Sequence, residues 1–385
     1  MDGNQKPKRL LCIVGSMDAG GAETFLMKIY RTIDRSKYQM DFYVSTQKKG
    51  FYDDEIISLG GKIYNSVPKT KNILKSFVNL RRIVKKGKYD CVMRVSQHSL
   101  STLELIAARF GGATTLIFRS SNSGTGGGKI NSLLHNIFKF LPKIIPTIKI
   151  APSTEAAEFM FGRDCIKRGK VHIIRNAIDV EQFAFNNNQR NLIRKELNIE
   201  NKFVVGHVGR FNSQKNHAFL IDIFKEIYKD NPDSVLLLVG KGELESVIRQ
   251  KIDSLGLKNN VIFTGVRSDI PQIMMAMDVF VFPSFYEGMP NTVIEAQATG
   301  LPCVISDTIT KEVKITESVK FLSLKQTSVE WATLAQKSIK GLERGETKGE
   351  FSKYGYDIEQ ESKRFINLIF NKDLVSINKN CTLGK

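Results

Sequence analysis

Nowhere in this chain is there an apolar run approaching the ~20 residues that span a bilayer. The N-terminus, Met1 to Lys8, is polar and leads directly into a short β-rich run, so it reads as no signal peptide. Cysteine is sparse. Cys12, Cys91, Cys165, Cys303 and Cys381 are scattered, odd in number and without metal-ligand spacing. They read as reduced core thiols, not disulfides or a zinc site, and point to the cytoplasm. Acids are also short, 39 against 57 Lys and Arg, leaving a net charge of +18. That imbalance favours an anionic partner (nucleic acid, anionic lipid or a phosphorylated substrate) without choosing among them. No recognition helix, zinc knuckle or aromatic RNP-like strand supports nucleic acid.

What is present is alternation. At 385 residues and 42% hydrophobic content the chain can build two cores. Strand-like runs at Leu10–Val14, Asp41–Ser45, Ile63–Val67, Cys91–Val95, Leu116–Arg119 and Ile148–Ala151 are separated by helical periodicity. The helical stretches are Ala22–Ile33, Ile73–Val84, Leu100–Phe110, Ile130–Leu141 and Thr154–Phe161. After a polar break at Asn186–Arg190 the pattern restarts, with strands at Phe203–His207, Val235–Val239, Val261–Phe263, Val279–Phe282 and Val304–Ser306. This spacing predicts an α/β fold: two Rossmann-like, doubly wound domains facing across a cleft. The expected domains are residues 1–185 and 186–355. An amphipathic helix and tail over 356–385 are expected to cross back to the first domain.

Open parallel sheets bind ligands beyond the carboxyl ends of their strands, so the loops that follow strands come first. The loop after the first strand carries Gly20 and Gly21, which would let backbone approach a phosphate, although a plain tight turn explains them as well. Its spacing is not the Gly-x-Gly-x-x-Gly dinucleotide fingerprint, and there is no Walker lysine. In the second half, Arg210 and Lys215 share one short loop; a guanidinium fork plus an ammonium suits a diphosphate, and solvated charge is the plainer alternative. Gly240 and Val266 stand at the next two strand ends and could frame a base. From Phe282 onward, a loop with Glu287, Gly288 and Met289 leads through Pro290 into a helix bearing Glu295. Two carboxylates flanking a helix N-terminus suit a polyhydroxylated, phosphorylated ligand, or are simply solvated acids. His98 and Arg119 stand at strand ends in the first half.

Taken together, Gly20-Gly-Ala-Glu23, Asn176-Ala-Ile-Asp179, Gly209-Arg210 with Lys215-Asn216, Gly240-Lys-Gly242 and Glu287-x7-Glu295 resemble glycosyltransferase family 4. These are retaining enzymes of GT-B fold, and the resemblance is to bacterial enzymes of exopolysaccharide and capsule assembly. It implies that Arg210 and Lys215 hold the donor diphosphate, that Glu287 contacts the transferred sugar, and that Glu295 contacts the ribose. Gly240, Val266, Gly288, Met289 and Pro290 complete the donor side, and the Gly20-Gly21 loop covers the phosphates. His98, Arg119 and Asn122 fall on the acceptor side. No metal or other cofactor is implied, and no Asp-x-Asp element is placed to hold one. The expected donor is a UDP-sugar and the expected acceptor a polyprenyl-diphosphate-linked saccharide. Arg175 departs from the family pattern, which has proline there. A GT-B sugar-nucleotide epimerase and, from another class, a nucleic-acid-binding protein are the alternatives.

The charge is concentrated. Lys69 to Lys88 holds eight Lys and Arg and no acid, and Lys129 to Lys149 holds four lysines and no acid among apolar residues. Both fall in the first domain. They suggest a basic, partly apolar surface on anionic lipid, placing the protein at the inner face of the plasma membrane. An ordinary amphipathic helix is the alternative for the first segment.

Overall fold

The computed structural model describes residues 6–18, 20–66, 72–121, 129–341 and 343–371. Val67, Lys69, Lys71, Asn122, Cys381 and the side chain of Lys129, all singled out above, lie outside the described part. Two units divide the chain: Met1–Ala177 with Ile358–Lys385, and Ile178–Asp357.

The first unit is built on seven parallel strands: β1 (Lys8–Val14), β2 (Tyr38–Val44), β3 (Ile63–Asn65), β4 (Cys91–Ser96), β5 (Thr115–Ser120), β6 (Ile148–Ala151) and β7 (His172–Ile173). Their order is β3-β2-β1-β4-β5-β6-β7. The strand order therefore reverses between β1 and β4, and the loops following those two strands carry Gly20 and His98. Such a switch point is where open α/β sheets place ligands. One face packs on the helix Gly21–Thr32 and the closing helix Ile358–Phe370, with Phe25 and Phe365 edge to face at 6.1 Å. Asp41, on β2, has a structural role. Fully buried, it accepts two 2.6 Å bonds from Arg9 and one each from Tyr89 and the Lys62 amide.

The second unit has six parallel strands: β8 (Phe203–Val208), β9 (Ser234–Val239), β10 (Val261–Gly265), β11 (Val279–Phe282), β12 (Cys303–Ser306) and β13 (Val319–Leu322). Their order, β10-β9-β8-β11-β12-β13, reverses between β8 and β11. The loop after β8 carries Arg210 and Lys215, and the loop after β11 carries Glu287. Topology alone thus puts all three at one switch point.

Three expectations need correction. The boundary precedes Ile178, not the polar stretch at 186–190, because Ile178, Val180 and Phe183 all pack into the second unit's core. That polar stretch is itself a helix, Asn187–Glu196, capped by the Asn186 side chain and burying Ile193 and Arg194. At the other end Tyr356 belongs to the same core, so this unit runs to Asp357. The helix expected over 130–141 is two, Lys129–Ile137 and Leu141–Ile144, with Pro142 in the first turn of the second. Cys12, Cys91, Cys165 and Cys303 are free thiols.

Candidate active site

The loop after β8 is held by its one apolar residue. Phe211 is fully buried against His217 and Phe263, and its carbonyl accepts from the Leu244 amide. Arg210, its neighbour, is left exposed to solvent. Asn212 then caps a short turn, Ser213–Lys215, by accepting from the Lys215 amide at 3.3 Å. Asn216 takes a left-handed conformation (φ 54°), a geometry asparagine tolerates, and the helix His217–Asp230 begins.

Lys215 does not point into open solvent. Its Nζ donates to Glu287 Oε1 at 2.6 Å and lies 4.5 Å from the centroid of the Phe282 ring. The two side chains are only 15% and 10% exposed, so most of their charge is answered by each other. The backbones are joined as well: the Phe285 amide donates to Gln214 O, and Gln214 Nε2 donates to Tyr286 O. Two loops from different strands therefore form one rigid lip. Beneath it, a Cβ added at Gly240 would fall 2.1 Å from Gly209 O, and one at Gly242 would fall 2.3 Å from Phe211 O. Only glycine lets the β9 turn pack this close.

Pro290 is the cap residue, and the helix runs Asn291–Ala298 with Glu295 half-buried in its second turn. Met289 packs on the core and accepts from Tyr356, while Gly288 is exposed. Val266 stands exposed just past β10, whose terminal Gly265 O accepts from the Gly240 amide at 2.9 Å. Sequence reasoning missed Ser284, Asn291 and Thr292. Each has a buried side-chain oxygen without a hydrogen-bond partner among the described residues. Polar atoms left unpaired at a helix N-terminus are suited to receive a ligand's phosphate and hydroxyl groups. Their polar type beside Pro283 and Pro290 was the available signal.

Also missed were two histidines under the lip. His207 and His217 are buried with centroids 4.7 Å apart. His207 Nδ1 contacts Val281 O, and its Nε2 and both His217 nitrogens lack partners among the described residues. Burial, then the neighbouring His217, holds His207 well below the usual imidazole range; burial, then Lys215, pushes His217 down to about 4. Both are therefore neutral when folded at neutral pH. Between pH 6.5 and 4 the unfolded chain binds a proton at His217 that the folded chain refuses, so stability is full above this window and lost as pH falls through it. The expected loss from His217 alone is on the order of 3 kcal/mol. Urea midpoints measured from pH 7.5 to 4.5 should drop accordingly, and His217→Phe should flatten that slope.

In the first unit, Gly20 precedes the helix Gly21–Thr32 in extended conformation, and a Cβ there would meet Glu23 Oε2 at 2.4 Å. Burial raises the Glu23 carboxyl, with Arg94 and Arg119 opposing that shift. Arg119, expected on the acceptor side, is instead 1% exposed. Its guanidinium lies 3.7 Å over Phe25 and donates to Asn176 Oδ1 at 2.7 Å, tying β5 to the Asn176-Ala-Ile-Asp179 segment. Burial lowers it to about 9. This bond and the ring contact give it a structural role. His98 is half-buried ahead of the turn Ser99–Thr102, lowered by burial and then by Arg94. The Arg175 amide donates to Glu361 of the closing helix.

Two doubly wound units, with a lysine and a carboxylate joined at the switch point of the second, define a GT-B glycosyltransferase. Residues 19–182 match Glycosyltransferase Family 4, and residues 188–358 match Glycosyl transferases group 1. Over 374 residues the chain is 34% identical to EpsF of Bacillus subtilis (strain 168), which carries a provisional glycosyltransferase name; the match spans 95% of this chain and 97% of EpsF. It is 35% identical over 242 residues to the UDP-Gal:alpha-D-GlcNAc-diphosphoundecaprenol alpha-1,3-galactosyltransferase of Escherichia coli, spanning 61% of this chain and 62% of that one. Anabaena HepE, solved in complex with UDP, shares the fold at a TM-score of 0.70 with 20% identity, over 94% of this chain and 95% of HepE. The chain belongs to glycosyltransferase family 4.

Proposed function

We propose that this enzyme transfers a hexose or N-acetylhexosamine from a UDP-sugar, with retention, to a lipid-linked saccharide in cell-surface polysaccharide assembly. The observation that carries this reading is the Lys215–Glu287 pair, with the unpaired oxygens of Ser284, Asn291 and Thr292 on the same segment after β11 as Glu287. The Escherichia coli relative's UDP-Gal donor and diphosphoundecaprenol acceptor support both ends of it. Arg210, Lys215 and the N-terminus of helix Asn291–Ala298 meet the charge that grows on the departing diphosphate. Glu287 accepts hydrogen bonds from the transferred sugar, and Glu295 from the ribose. The bond from the anomeric carbon to phosphate breaks as the acceptor oxygen bonds on the same face. The acceptor's proton passes to the leaving phosphate oxygen. His98 belongs beside the acceptor. No divalent metal is needed, because the two cations meet the diphosphate charge.

A panel of UDP-, GDP- and ADP-sugars tests the donor by thermal shift. UDP-sugars should stabilise most, and transfer to a diphosphoundecaprenol saccharide should persist in EDTA and keep the donor's anomeric configuration by NMR. Release of an epimer from donor alone would instead favour the epimerase.

We further propose that the acceptor is met at an anionic membrane surface. No helix among the described residues is long and apolar enough to cross a bilayer. Helix Lys129–Ile137 and the residues that follow it combine a buried polar side chain with exposed apolar ones. His135 is buried, stacked on Phe159 at 4.4 Å and bonded to Ser99, whereas Leu133, Ile137, Phe140 and Ile144 are exposed. Lys143 adds exposed charge nearby, but Lys149 does not, being buried and bonded to Pro146 O. Flotation with phosphatidylglycerol vesicles should recover wild-type protein, and a variant with Ile137, Phe140 and Ile144 changed to serine should stay behind. Equal flotation of both would exclude this surface.

A further inference from the structure

The first unit contains a cavity of about 480 Å³ beside the outer strands β2 and β3, apart from the β1–β4 switch point. One wall is the end of β3, with Asn65 and Ser66; the other is helix Ile73–Gly87. Lys75, Asn79 and Arg82 follow one another at four- and three-residue spacing, which aligns them on one helix face. Leu74 and Val78, both well exposed, lie alongside.

The walls are fixed from below. The Tyr43 hydroxyl donates to Ser66 Oγ at 2.6 Å and lies 3.1 Å from Ser76 O, so one buried group clamps the end of β3 to the helix. Asn65, which lines the cavity, is held by its Nδ2 donating to Thr46 O at 3.1 Å. Asn72 caps the helix by accepting from the Lys75 amide at 2.8 Å. Among the described residues neither Lys75 nor Arg82 has an acidic partner, and no acid lines the cavity.

We propose that this cavity is a subsite for an anionic sugar residue of the acceptor, one carrying a carboxylate or a phosphate. Arg82 and Lys75 take the anion, the guanidinium by its paired N–H groups. Asn65 and Asn79 pair with ring hydroxyls, and Leu74 and Val78 cover the ring's C–H face, the usual mix of apolar wall and few polar groups. The volume holds about one or two sugar rings. The assignment to an acceptor rests on the glycosyltransferase reading above.

Saturation-transfer NMR titrations on the full chain test it with three probes: methyl glucuronide, glucose 6-phosphate and neutral methyl glucoside. At least one anionic probe should bind tenfold or more tightly than the neutral one, and its identity separates carboxylate from phosphate. A Lys75→Ala/Arg82→Ala variant should lose that preference at least tenfold while its thermal shift with UDP stays at wild-type size. Asn79→Ala, the milder change, should weaken the same probe if the double variant fails to fold. No preference for anions, unaltered binding by the variants, or displacement of the probe by UDP would each overturn the proposal. Loss of the UDP response in the wild-type chain would instead count against the donor site.

Discussion

Lys215→Ala and Glu287→Ala should each lower kcat/KM for sugar transfer by roughly 10²-fold or more, about 2.7 kcal/mol of transition-state stabilisation. The two residues fail for different reasons. Without Lys215, the departing diphosphate loses a cation held rigidly where charge develops, and such preorganised groups are worth this much in water-poor sites. Without Glu287, the lysine keeps its charge but loses the 2.6 Å partner that aims it, and in the proposed reaction the sugar loses an acceptor for its hydroxyls. Each single change also strands a charge that is only 10–15% exposed, so some thermal stability should be lost too. Glu287→Gln separates these effects, because it keeps the shape of the side chain while removing its charge. Either alanine variant turning over at near-wild-type rate, with circular dichroism unchanged, would refute the site.

Gly240→Ala should be nearly as damaging, and through the backbone. Gly240 sits at φ 135°, where side chains are strained, and the new Cβ would press a backbone carbonyl oxygen 2.1 Å away. That oxygen belongs to Gly209, directly before Arg210, so relief of the clash must move the cationic loop. A stability loss on the order of 3 kcal/mol is expected, with weakened UDP-sugar binding. Gly256→Ala is the control: it shares a positive φ (70°) but meets nothing within 4 Å. Urea melts and donor titrations of the two variants should diverge sharply. If Gly240→Ala binds donor like wild type, the loop is more compliant than its packing implies.

Strand-following loops were readable because the alternation of β-branched runs with helical periodicity is strong, and strand ends fix where such loops emerge. Gly20, His98, Arg210, Lys215 and Glu287 all fall at the two switch points for that reason. Partnerships were not readable. Lys215 and Glu287 stand far apart in sequence, and only the order of strands makes them neighbours. Arg119 shows the opposite failure. A charged residue at a strand end reads as exposed, yet Phe25 and Asn176, both distant in the chain, provide the ring and the acceptor that let it be buried. Helix Asn187–Glu196 was mistaken for a break because its composition is so polar that Ile193 and Arg194 supply most of its buried side. Strand β7, only two residues long, carries too few residues for a period to be seen.

Ile358, Phe365, Ile366, Leu368 and Ile369 all lie in the hydrophobic core that also holds Leu10, Cys12 and Val14 of β1, Met40 and Phe42 of β2, and Phe25 and Ile29 of helix Gly21–Thr32. The lobe begun first on the ribosome is therefore completed last, after the whole of the intervening lobe has emerged and can already have folded. A nascent chain stalled before Ile358 would expose the apolar side of helix Gly21–Thr32. Truncation there should yield a chain that aggregates through its earlier lobe, and limited proteolysis should release the later one as a folded fragment.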